Sequence, residues 1–260
     1  MSFNLPDITR EIEAKKFKTH LIDKVVLRVD FADIFSSDAL ASKMVAKLGK
    51  KYSERQNYLE QVFNIDNSNG TVVQGTAANS SVLVDPQSGN FIKINRTFIA
   101  FEFKEYTNFE NFMETVDSVF EEYETTYNNN PLKRIGLRKI NFFDHSEGME
   151  LFTFDGYFNK FLTAHLKDKM LDATLTEDRH VLVSSAPPYN SVLRYGTLKG
   201  QKADVPHRRF YLDIDCSIEG DIQSDARHGQ IVAINEEIFK IFYWSLGEKM
   251  LKELANDKKA

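Results

Sequence analysis

Two apolar runs joined by a turn constrain the fold of this chain more than any other feature in it. Ser81–Val84 and Phe91–Asn95 flank Asp85-Pro86-Gln87-Ser88-Gly89-Asn90, and Thr97–Phe103 follows almost directly. Proline presets φ, glycine supplies positive φ, and Asp, Asn and Ser bond their own backbone, so the six residues read as a turn. A parallel crossover needs roughly a dozen residues or more, so links this short make the strands antiparallel neighbours.

The rest of the first half fits around them. In Lys24–Phe31, Val25, Leu27, Val29 and Phe31 alternate with Val26, Arg28 and Asp30, the period of a half-buried strand. Ser37–Lys51 carries Leu40, Met44, Val45 and Leu48 at helical spacing, with Asp38 near its start and Gly49 near its end. From Gly70 to Phe103 the pattern is strands. Thr107-Asn108-Phe109-Glu110 has the form of a capping box, and Phe109, Phe112, Val116, Val119, Phe120 and Tyr123 continue as one apolar stripe. Asn128-Asn129-Asn130-Pro131 stops that helix. Leu132–Phe143 then reads as a strand with Gly136 at its middle.

The second half repeats the plan loosely. Asp172–Leu175 and His180–Ser184 read as a hairpin around Thr176-Glu177-Asp178-Arg179, and Ser191–Leu198 and Arg209–Ser217 as further strands. A polar loop, Glu219–Gln230, leads to a helix over Asn235–Ala255, with Asn235 as N-cap and Ile238, Phe242, Leu246, Met250 and Leu254 at every fourth position. Arg96-Thr97-Phe98-Ile99 precedes the first aromatic helix, and Arg208-Arg209-Phe210-Tyr211 the second. The expected architecture is α+β: antiparallel sheet packed by long aromatic-rich helices, in two similar halves, 1–145 and 146–260. Those halves are either an internal duplication or one continuous domain.

Composition sets the limits. A chain of 260 residues holds one large domain or two modest ones, with core enough to need no staples. Its 21 Phe and 10 Tyr against one Trp suit packing rather than polar work. The lone Cys216 has no intramolecular disulfide partner, which fits a reducing compartment and a structural thiol. No apolar run resembles a signal peptide or reaches bilayer length, so a cytoplasmic protein without a membrane partner is expected. With 38 acidic and 33 basic residues the net charge is −5, which disfavours a general nucleic-acid coat but allows a local basic patch.

Arg134-Ile135-Gly136-Leu137-Arg138-Lys139-Ile140-Asn141 carries a resemblance. It resembles the Arg-Ile-Gly-Leu-Arg-Tyr-Ile-Asn signature of a sporadically distributed bacterial family of about this length. The early strand Val25–Val29 and the late helix Ile238–Leu251 are similar to it as well. Lys139 stands where the family has an aromatic residue. The resemblance implies no reaction. It implies an association with mobile defence, immunity or toxin–antitoxin genes.

Four constellations offer chemistry, each with a plainer structural reading beside it. On a strand, Arg134, Gly136 and Arg138 share one face, so two guanidinium forks could meet a phosphate or carboxylate over the glycine; alternatively both arginines pair with neighbouring acids. Arg194, His207, Arg208 and Arg209 could form a basic patch, or a solvated strand entrance. Asp213 and Asp215 share a face and could hold Mg²⁺ with Asp221, Asp225 or His228, although alternating acids are common on any solvent-facing strand. Ile241, Tyr243 and Trp244 lie off the main helical stripe and could face a partner chain or the interior.

No G-x-S-x-G, H-E-x-x-H, C-x-x-C or Walker glycine loop occurs, so no catalytic residue and no cofactor is assigned. Two functions stay open. One is a non-enzymatic accessory or neutralising protein of a bacterial defence or toxin–antitoxin locus, contacting another protein or a second copy of itself. The other is a nucleotide- or RNA-binding protein with nuclease-like activity, using Arg134 and Arg138 for phosphate and Asp213 and Asp215 for a metal.

Overall fold

The turn at Asp85–Asn90 is held by its own side chains. In the computed structural model the Gln87 N–H donates to Asp85 Oδ1 at 3.0 Å and the Ser88 hydroxyl to Oδ2 at 2.7 Å. The Asp85 N–H reaches the Asn90 carbonyl at 2.8 Å, and Gly89 takes φ +68°. The structure describes residues 17, 19–66, 71–127, 130–144, 154–167, 175–202 and 205–255, with side chains at 60–78 and 200–207 outside that description.

Nine strands and five α-helices occur among the described residues. In chain order they are β1 (Ile22–Phe31), α1 (Ser37–Leu48), β2 (Glu54–Asp66), β3 (Thr71–Val84), β4 (Phe91–Asn95), β5 (Phe98–Phe103), α2 (Phe109–Tyr127) and β6 (Leu132–Asp144). The remainder are α3 (Lys160–Thr163), β7 (Glu177–Ala186), β8 (Tyr189–Lys202), β9 (Val205–Ile222), α4 (Arg227–Ser245) and α5 (Glu248–Ala255). The strands make one antiparallel sheet in the order β2-β3-β4-β5-β1-β6-β9-β8-β7. The α+β class and the antiparallel neighbours read from the short links are therefore present. No helix among the described residues is long and apolar enough to cross a membrane.

Two compact units divide the chain: 24–136 with 219–230, and 1–23 with 137–218 and 231–260. Each is discontinuous because β1, β6, β9 and α4 pass from one to the other. Of the segment beside the expected 145/146 boundary, 145–153 lies outside the described residues.

The first unit is built on the alternation visible in the sequence. Val25, Leu27 and Val29 of β1, Ile92 and Ile94 of β4, and Ile99 and Phe101 of β5 are wholly buried. From α2, Phe112, Val116, Val119, Phe120 and Tyr123 are buried too. Phe31 lies 4.4 Å from the Tyr123 ring centroid and meets Phe35 edge-on at 5.2 Å, a spacing worth about 1 kcal/mol per pair beyond area burial. The Tyr123 hydroxyl accepts from Asn130 Nδ2 at 2.8 Å, so the one polar tip in this cluster has a partner. The cap of α2 lies one residue later than the sequence suggests. Asn108 Oδ1 accepts from the Asn111 N–H at 2.7 Å, while Thr107 Oγ1 accepts from the Asn111 side chain. Strand β2, which the sequence reading did not contain, pairs along β3 at the edge of the sheet.

The second unit departs further from expectation. β7 runs through Glu177-Asp178-Arg179 as strand, and the turn to β8 falls at Pro187-Pro188 instead. Residues 177–179 contain neither Gly nor Pro, so their alternation decides, whereas the proline pair cannot donate to a ladder. Of the expected strand Asp172–Leu175, residues 172–174 lie outside the described residues. The expected polar loop at Glu219–Gln230 is instead the end of β9, a short 3-10 turn (Ser224–Ala226) and the start of α4. Arg227 anchors that start within the first unit: it donates to Asp117 at 2.8 Å and lies 4.2 Å over the Phe120 ring. Asn235 is therefore a mid-helix residue, not a cap. Gly247 breaks α4 from α5, since its N–H donates to Tyr157 O at 2.7 Å and a Cβ there would overlap the Gly156 carbonyl.

Candidate functional site

Strand alternation puts Arg134, Gly136 and Arg138 on one face of β6, as read, but each arginine already has acidic partners. Arg138 places its fork on Asp213 of β9, with Nε to Oδ1 and Nη2 to Oδ2 both at 2.7 Å. That is the bidentate geometry in which guanidinium–carboxylate pairs are strongest. Asp213 is 5% exposed, and Arg194 Nη1 stands 3.6 Å from its Oδ2. Arg134 belongs to the other unit. Its Nη1 is 3.8 Å from Asp30 Oδ2 and its Nε 3.6 Å from Glu219 Oε1. The Arg134 guanidinium lies flat over Gly136, where a Cβ would stand 2.7 Å from it, so the glycine makes room for an arginine of its own strand.

The remaining sequence candidates separate in the same way. Alternation sends Arg208 and Arg209 to opposite faces of β9. Arg208 is buried, with Nη2 donating to Leu175 O at 2.7 Å. Arg209 pairs with Asp144 at 2.6 Å and lies 4.2 Å over the Phe142 ring. The side chain of His207 lies outside the described residues. Asp213 and Asp215 do share a face, but both oxygens of Asp213 are held by Arg138, so a cation would have to displace the fork. His228 pairs with Asp117 at 3.0 Å. Cys216 is buried, accepts from the Ser191 hydroxyl at 3.4 Å, and burial pushes its thiol up to about 11, the structural thiol the sequence indicated.

Ile241 corrects an expectation. It is 5% exposed, because the buried stripe of α4 runs Ile231, Ile234, Ile238, Ile241 and not through Phe242. Tyr243 and Trp244 beside it are half-buried. Lys139 donates to Asn235 Oδ1 at 2.6 Å, and burial lowers its ammonium to about 8.

One group of a different kind was not legible. β7 carries Asp178 and His180 two residues apart on one face, and a 3-10 turn (Ala164–Lys167) sets His165 against them. His165 Nε2 is 2.8 Å from Asp178 Oδ2, His180 Nε2 is 2.7 Å from Asp178 Oδ1, and the two Nε2 atoms are 3.2 Å apart. The Tyr195 ring lies against His180 at 5.0 Å and 18°. Burial, then the Asp178 charge, holds the Tyr195 phenol above its ordinary range. Gly196, at φ +154°, lies opposite Arg179, and a Cβ there would overlap the Asp178 carbonyl, so this glycine lets β8 approach the site. Among the described residues it is the one set of three His, Cys, Asp or Glu ligand atoms that converges, all within 4.8 Å. The signal in the sequence was Asp-x-His on a strand, obscured by placing a turn at those residues.

No family model matches the chain, and no curated protein is significantly similar to it.

Proposed function

We propose that the protein is a non-enzymatic binding protein acting through protein–protein contacts, and that β7 is the strand it offers. The observation that carries this is the outer edge of β7. It ends the sheet, and Val181 and Val183 on it are 57% and 72% exposed. Open edges are templates for pairing with another chain, and proteins usually blunt them with charges, prolines or bulges. From Val181 to Ala186 β7 has no charge and no proline, and its register with β8 is unbroken.

The occupant that fits is β7 of a second copy. Antiparallel pairing about Leu182 sets Val181 of each strand opposite Val183 of the other, twice over. Arg179 then faces Ser185 and His180 faces Ser184, so no like charges oppose. The pairing of Arg138 and Arg209 with acids supports this reading over the nucleotide one, because a phosphate would first have to displace a carboxylate.

The order of elements supports an internal duplication. Each copy would run strand, helix, antiparallel meander returning beside the first strand, long helix: β1, α1, β2–β5, α2, then β6, α3, β7–β9, α4. The resemblance in Arg134–Asn141 adds an accessory role at a defence or toxin–antitoxin locus.

Sedimentation of the full chain across concentration tests the edge. A dimer is expected with Kd near about 1 μM, roughly −8 kcal/mol, weakened at least about tenfold by Val181→Lys with Val183→Lys. Both positions are exposed, so the fold is expected to survive. A monomer at every concentration up to about 100 Kd of that estimate, unchanged by the substitutions, contradicts the reading.

A further inference from the structure

We propose that His165, Asp178 and His180 form a binding site for a divalent transition-metal ion, with zinc the best chemical fit. The first ground is convergence. Three Lewis bases from two elements bring their ligand atoms together, all within 4.8 Å of one another. Both Nε2 atoms face the same carboxylate and also face each other at 3.2 Å. A nitrogen pair this close is stabilised only when something positive lies between the bases, a proton or a metal ion.

The spacing also suits an ion. Ligands about 2.0–2.1 Å from a tetrahedral zinc are about 3.3–3.4 Å from each other. The nitrogen pair already stands at 3.2 Å. The nitrogen–oxygen distances of 2.8 and 2.7 Å need to open by about half an ångström, the change from hydrogen bond to shared coordination.

Donor chemistry selects the class. Two imidazoles and one carboxylate suit zinc, nickel or copper, whereas Mg²⁺ and Ca²⁺ take oxygen sets. The surroundings are those of a positioned site. Stacking against Tyr195 sets the plane of His180, and Gly196 fixes the approach of β8 to the Asp178 backbone. The His165 and His180 side chains are 32% and 39% exposed while Asp178 is 10%, so the ion has a path in and a carboxylate at the back. Three protein ligands leave a fourth position for water. Coordination replaces any proton carried by either Nε2, and that proton leaves to solvent.

This site differs from the sequence's own metal candidate. At Asp213 the positive charge is already present as Arg138. At Asp178 the described partners are two imidazoles, which are themselves ligands.

The test is zinc titration of the full, metal-stripped chain at neutral pH against a chromophoric chelator, with ¹H–¹⁵N spectra of the histidine rings recorded in parallel. The expected result is one zinc per chain. The His165 and His180 ring signals shift together, and a large excess of Mg²⁺ does not compete. His165→Ala and His180→Ala are each expected to weaken binding by at least about 100-fold, and Asp178→Asn by at least about tenfold. Should a variant fail to fold, the ring signals of the unmodified protein still decide. Absence of stoichiometric binding overturns the proposal. So does binding that leaves the His165 and His180 signals unmoved, or that survives in a folded His165→Ala, His180→Ala double variant.

Discussion

The Arg138–Asp213 pair and the His165–Asp178–His180 group each place a low-exposure aspartate between two basic side chains of the same unit, and they are opposites. Around Asp213 the neighbours are guanidiniums, which are permanently charged and fork-shaped, and Arg138 covers both oxygens. Around Asp178 the neighbours are imidazoles, which can be donors, acceptors or ligands. The first arrangement is complete in itself and fastens β6 to β9. The second is complete only with a cation at its centre. What separates a structural cluster from a binding one here is whether the partners leave room for a further charge.

The comparison can be broken most sharply at Asp213. Asp213→Ala leaves the Arg138 fork without its carboxylate and removes the acid near Arg194, with an expected loss of about 3 kcal/mol, since Arg138 keeps some solvent. Urea denaturation measures it. Asp178→Ala, by contrast, is expected to cost about 1 kcal/mol in metal-free protein. Equal losses at the two aspartates would erase the distinction.

Gly196→Ala comes next. Its Cβ would overlap the Asp178 carbonyl and hold a strained φ, so about 2 kcal/mol of stability and most zinc affinity should go together. Retained zinc affinity in a folded Gly196→Ala protein would detach the metal site from the β7–β8 geometry.

Lys139 gives a smaller effect with a definite sign. Burial lowers its pKa on folding from the ordinary 10.5 to about 8, so between those values the unfolded chain binds more protons than the folded one. Stability should therefore rise as pH increases from about 8 to about 10.5, by about 1–2 kcal/mol after allowing for partial exposure. Lys139→Met should flatten that rise and stabilise the protein at pH 7. An unchanged pH profile in the variant would show that Lys139 is not the group responsible.

The smallest effect is expected at Gly136→Ala, about 0.5 kcal/mol. The atoms nearest the new Cβ are those at the far end of the Arg134 side chain, which is 30% exposed and can swing away toward solvent. Thermal denaturation suffices to measure it.

The legibility of the sequence followed the same physical division. Period-2 alternation located β1, β4, β5 and the heart of β9, and the Phe-rich stripe located α2, because burial of one face dictates those patterns. β2 escaped because it is an edge strand, and along its described side chains, 54–59, none is buried, Tyr58 and Leu59 included, so no buried face writes itself into that stretch. The start of α4 escaped because Arg227 and His228, polar residues that looked like loop, are held by Asp117, over a hundred positions away in sequence. The arginines of β6 were visible as residues, but their acids on β1 and β9 depend on strand order, which alternation does not encode. Asp178 and His180 were visible as neighbours, but His165 reaches them through a 3-10 turn with no periodic signature.

The central distinction, a site built to take a cation against one already supplied with it by Arg138, is most directly tested by anomalous diffraction at the zinc edge from crystals grown with stoichiometric zinc. The predicted result is a single strong peak about 2.0–2.2 Å from the Nε2 atoms of His165 and His180 and one Asp178 oxygen, with none between Asp213 and Asp215. A peak at the Asp213 pair, or no peak beside His165 and His180, would contradict it.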